Sequence, residues 1–163
     1  MRDGIEFEDG VKAHIQLFDD LLAGIGAAPI FENHDFSFNN ESSNAYAAIF
    51  DVVSQTNPNA AVMWLHLMGD GIRLDIDGIN ELYEWSDKHI KDSRDDVVQF
   101  LGQVLTGFIL IETHGSGRFV EIFDSSGNFV TWISRNNTIH MITGLRISRY
   151  KSYRRMFLPF YRV

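Results

Sequence analysis

Three stretches of this chain carry residue types that could do chemistry. ETHGSGRF, residues 112–119, gathers a carboxylate, an imidazole, a serine between glycines and an arginine. In an active site His114 would be a general base, Ser116 a nucleophile and Arg118 an anion stabiliser. A nucleophile elbow, however, sits between a strand and a helix, and here a second strand-like run follows. The stretch therefore reads as a Gly-rich β-turn with polar flanks.

GDGIRLDIDGINELYE, residues 69–84, resembles a calcium loop, with carboxylates on alternate positions and a glycine after them. In that alignment the first ligand position falls on Arg73. A guanidinium there would set a fixed positive charge beside the ion, so calcium binding is not expected. Gly69 and Gly71 also deny the loop its incoming helix. The reading that remains is an extended IRLDI segment, then Asp77 as N-cap of a helix over 78–91 with Glu81 and Glu84 on its N-terminal dipole.

The third stretch is RISRYKSYRRMFLPFYRV, residues 146–163, with six basic residues interleaved with aromatics and no acid. That composition suits phosphate neutralisation with base stacking, or an anionic membrane surface. Residues 1–145 carry all 22 carboxylates and 8 of the 14 Lys and Arg, a net of −14 that opposes any polyanion. Neither a nucleic-acid nor a membrane partner is expected. The segment is instead predicted to fold back, its aromatics completing the core and its arginines pairing with acidic helices.

Other chemistry is thinly supported. The absence of cysteine removes disulfides, thiolate nucleophiles and thiolate zinc sites. The six histidines show no metal-binding spacing, and no Walker A or G-x-G-x-x-G loop is present. No cofactor, metal or catalytic constellation is assigned. The acidic first ten residues and the lack of a long apolar run lead to the expectation of a cytoplasmic protein.

The elements that must position any site follow from periodicity. Val11, Ile15, Phe18 and Leu22 predict a helix over 11–24, stopped by Gly24 and Gly26. Residues 44–55 suit helix or strand, and the alanines with a Ser43 or Asn44 cap favour helix. Asn57 as cap and Pro58 at the first turn predict a helix ending at Gly69. A further helix is expected over 94–105. Beyond Gly107 the period falls to 2 in GFILIETH, GRFVEIFD and NFVTWIS, which predicts an antiparallel meander, with NTIHMITGLRI a fourth strand.

These elements make one α+β domain over 1–163, N-terminal helices packed on one face of a C-terminal antiparallel β-meander. For function, charge is the strongest feature. The sequence suits a protein-binding protein of immunity or antitoxin type, neutralising a basic partner such as a nuclease toxin. The expected contacts are Asp70, Asp75, Asp77, Glu81, Glu84 and Asp87. Two alternatives are a small-ligand-binding protein or hydrolytic enzyme using His114, Arg118 or His140 in a pocket between helices and sheet, and a chaperone-like or structural subunit.

Overall fold

A computed structural model describes residues 5–77, 79–114, 117–135 and 152–161. The chain divides into two compact units, Met1–Gly102 and Gln103–Val163. It is α+β: a leading helix, a five-stranded sheet, two helices, then a four-stranded sheet. Among the described residues no helix is long and apolar enough to cross a membrane.

The first unit opens with α1 (Asp9–Gly24), which buries Val11, His14, Leu17, Phe18, Leu21 and Leu22. These positions recur three and four residues apart, the spacings that fall on one helix face. Gly26 follows in the left-handed region (φ 74), and the Ala27 N–H returns to the Leu22 carbonyl at 2.8 Å, closing the helix end.

Five antiparallel strands follow in sequential order: β1 (Phe36–Phe38), β2 (Ala47–Val52), β3 (Met63–Met68), β4 (Gly71–Ile76) and β5 (Ile79–Ser86). Three predicted helices are overturned here. Residues 47–52 alternate half-buried and buried, and Ala48, Phe50 and Val52 face the core, so the β-branched content outweighs the alanines. Met63, Leu65 and Leu67 alternate likewise, in place of the helix expected between Asn57 and Gly69. The polar residues that resemble caps are turn formers. The Asn44 side chain accepts from Tyr46 N at 2.8 Å and Asn57 from Asn59 N at 3.1 Å, bonds an Asx-turn makes as readily as a helix N-terminus.

The third correction concerns 78–91. Asp77 does not cap a helix. It occupies the turn between β4 and β5 in the left-handed region (φ 48), which Asp tolerates and which a two-residue Asp-Gly hairpin requires. Only the end of the expected helix is helical, as α2 (Asp87–Asp92), where the Ser86 side chain accepts from His89 N.

The core lies on one face of this sheet. Phe50, Leu65 and Leu74 stand in register across β2, β3 and β4, as do Ala48, Leu67 and Ile72. On β5, Tyr83 and Trp85 fall opposite Leu74 and Ile72 and stack at 5.7 Å, and both rings meet Phe100 of α3 (Arg94–Thr106). α1 packs against β3 and β4, and α2 against β4 and β5.

The second unit holds β6 (Phe108–His114), β7 (Gly117–Phe123), β8 (Phe129–Arg135) and β9 (Ser152–Phe157), all antiparallel in the order β8-β7-β6-β9. The three expected strands form the meander. Ile109, Ile111, Val120, Ile122 and Phe157 make its buried face. Part of the basic terminal segment becomes β9, paired with β6, and Tyr161 N donates to the Leu105 carbonyl at 2.9 Å. The expected strand NTIHMITGLRI, which contains His140, and the turn residue Ser116 lie outside the described residues.

Candidate functional site

The six carboxylates expected to meet a partner sit on the β4–β5 hairpin and its ends, not on a helix. Asp70 is exposed in the turn before β4, and its carbonyl accepts the Asp87 N–H at 2.7 Å. Asp87, half-buried at the start of α2, lies 3.7 Å from His14 Nε2 and takes Lys91 Nζ at 2.6 Å. His14 itself is 2 % exposed and donates from Nδ1 to the Met68 carbonyl at 2.7 Å, tying α1 to the same hairpin end. Asp77 follows the other end of β4, seven residues on from Asp70 and so about 23 Å away at about 3.3 Å of rise per residue. Asp75 and Glu84 lie between them, and Glu81 belongs to β5, its side chain outside the described set. The six therefore line a hairpin from end to end rather than converge on one point.

Asp75 differs from the others in being 4 % exposed. Its position is irregular: β4–β5 pairing runs from Leu74↔Tyr83 to Ile76↔Ile79, so one residue of β4 faces three of β5. A bulge of that kind re-aims a side chain and breaks the ladder locally. The Asp75 carboxylate lies 3.6 Å from the Arg73 guanidinium and 3.7 Å from His66 Nε2. A buried carboxylate is tolerable only with such company, because desolvating an isolated charge costs several kcal/mol or more.

These residues share the sheet face opposite the apolar core. Register sets Asp51, Trp64 and Asp75 in one transverse row, and Ile49, His66, Arg73 and Glu84 in the next. Burial pushes the His66 pKa below the ordinary imidazole value, and Arg73 adds to the fall, while Asp75 and Asp51 pull the other way. His66 is therefore a neutral imidazole at pH 7.

That shift has a measurable sign. The unfolded chain takes up a proton at His66 at a higher pH than the folded one, so stability is lost as pH falls from 7.5 through the ordinary histidine range toward 5. His66→Gln is expected to flatten this part of the profile. Urea midpoints at pH 7.5 and pH 5.5 for both proteins test it; an equal drop in the two would refute the assignment to His66.

Asp51, Trp64, His66 and Arg73 form a group that local spacing does not announce. Part of the signal is present in MWLHLM, whose strict alternation puts Trp64 and His66 on one side, and in Asp-Gly at 77–78, the strongest short hairpin signature. No group of three or more His, Asp or Glu able to hold a metal occurs among the described residues. In the ETHGSGRF turn, His114 ends β6 opposite Gly117, and Arg118 is exposed on β7 opposite Thr113.

Comparison with protein-family models, with curated proteins and with solved structures finds no match for this chain.

Proposed function

We propose that this chain is a protein-binding protein that captures a basic partner through the carboxylates of its first unit, as an immunity or antitoxin protein captures a nuclease toxin. The observation that carries the reading is the division of charge. Residues 1–102 contain 19 carboxylates and 6 Lys and Arg, a net of −13, whereas residues 103–163 contain 3 and 8, a net of +5. An excess this large concentrated in about a hundred residues steers a cationic protein at rates that fall with salt.

The hairpin carboxylates divide by role within this reading. Asp70 and Glu84 are exposed and available to a partner, while Asp75 and Asp87 are engaged in ion pairs inside the protein. Recognition then rests first on Asp70 and Glu84, with Asp75 holding Arg73 and His66 in place.

Affinity capture with the tagged chain from its native host at low salt is expected to recover a basic protein, released by about 0.5 M salt, where the Debye length falls to a few ångströms. The double reversal Asp70→Lys with Glu84→Lys is expected to weaken capture by about tenfold or more. Undiminished recovery with the reversed protein, or no basic protein at low salt, would count against the proposal.

A further inference from the structure

The second unit carries a surface that its charge does not explain. Of the six exposed large apolar side chains among the described residues, four belong to it: Phe129, Trp132, Met156 and Leu158, at 55, 51, 52 and 38 %. Register gives two of them a common setting. Trp132 of β8, Glu121 of β7, Leu110 of β6 and Met156 of β9 are consecutive partners in one row across the whole sheet. The row lies on the face opposite Ile109, Ile122 and Phe157, whose burial marks the core side. An aromatic ring and a thioether left in water on one sheet face, with the half-buried Leu110 between them, are the composition of an interface centre.

The charge on that row selects the occupant. Glu121 is half-buried between Trp132 and Leu110 and has no ion pair among the described residues. A carboxylate beside an open indole face offers a Lys or Arg side chain both an ion pair and a cation–π contact, while the flanking Leu110 and Met156 take apolar neighbours. A lipid surface fits less well, because Glu121 would have to enter hydrocarbon without a counter-charge. A second copy fits less well too. Three strands of seven residues and one of six span only about 19 by 23 Å, short of the roughly 800 Å² per side of a standard stable interface.

We propose that the Trp132–Glu121–Leu110–Met156 row is the docking site for a protein segment that presents a Lys or Arg within an apolar patch. The proposal deepens the basic-partner reading and rests on it: the first unit steers, and this row anchors.

The test uses the full chain and three amidated peptides, Leu-Arg-Leu-Arg-Leu, Leu-Glu-Leu-Glu-Leu and Ser-Arg-Ser-Arg-Ser. The indole N–H resonance of Trp132, assigned with Trp132→Phe, reports occupancy. The first peptide is expected to shift it saturably, the other two weakly or not at all, and Glu121→Gln is expected to weaken binding about tenfold, the size of one desolvated charge pair. Both substitutions fall on a solvent-facing row, and circular dichroism checks that the fold is retained. Equal binding by the Glu121→Gln protein overturns the proposal. If the first peptide binds but responds only to Asp70→Lys with Glu84→Lys, the basic-partner reading stands and this one falls; if it responds to neither set, both fall. Concentration-dependent dimers abolished by Trp132→Glu in sedimentation velocity would assign the row to a second copy and overturn it as well.

Discussion

Phe50→Ala is expected to lower the stability of the first unit by about 4 kcal/mol, within the usual range for deleting a buried aromatic ring. The ring is fully buried and lies 5.3 Å from Phe31 and 5.5 Å from Phe38, so its removal leaves a cavity lined by other aromatics that cannot all follow it inward. The informative comparison is with its sequence neighbours. A helix over 44–55 would bury Tyr46, Phe50 and Val53 together, whereas β2 leaves Tyr46 66 % and Val53 42 % exposed. Tyr46→Ser and Val53→Ser are therefore expected to change stability by no more than about 0.5 kcal/mol. Urea unfolding of the three variants decides between the two arrangements, and comparable losses at all three positions would refute the strand.

Gly71→Ala is expected to cost about 3 kcal/mol, at the upper end of overpacking effects. Gly71 pairs with Ser86 at the end of the hairpin where α2 begins, and a Cβ there would collide with the carbonyl oxygen of Trp85 and come 3.2 Å from the Ser86 Cα. Both obstacles are backbone, so no side chain can rotate away. The strand would have to separate from β5, loosening the stack of Trp85 on Tyr83 and the Asp70–Asp87 hydrogen bond. Gly24→Ala is the control. Nothing lies within 4 Å of that Cβ, and an alanine at the helix end is expected to be neutral or to add up to about 1 kcal/mol. Thermal unfolding of both proteins measures the contrast; a Gly71→Ala protein as stable as the parent would mean that β4 and β5 leave room for a methyl group at this pair.

Part of the candidate site is legible in the amino-acid order. Asp70, Asp75, Asp77, Glu81, Glu84 and Asp87 stand out as an acidic run, and because they are close in the chain one hairpin carries them all, spread from end to end. Their setting is not legible, since Asp-Gly followed by a periodic segment looks alike as a helix cap and as a hairpin turn. His66 and Asp51 cannot be grouped with Asp75 from spacing, because they reach it across strands, and cross-strand proximity leaves no mark in local order.

The sequence by itself determined the properties that depend on few neighbours. α1 and α3 follow from a 3.6-residue stripe of leucines, valines and phenylalanines, β6, β7 and β8 from alternation between glycine turns, and the acidic excess from composition. Only the tertiary structure decided whether AAIFDV, MWLHLM and INELYEWS were helix or strand. Each of these segments is apolar enough to be buried either way. The choice fell to the ladders and the ring contacts each gains by lying beside its neighbours, as Phe50, Leu65 and Leu74 do in one row. The same rows placed Asp75 between Arg73 and His66, and left Trp132 and Glu121 on the face away from the core, because register across strands sets which side chains share a face.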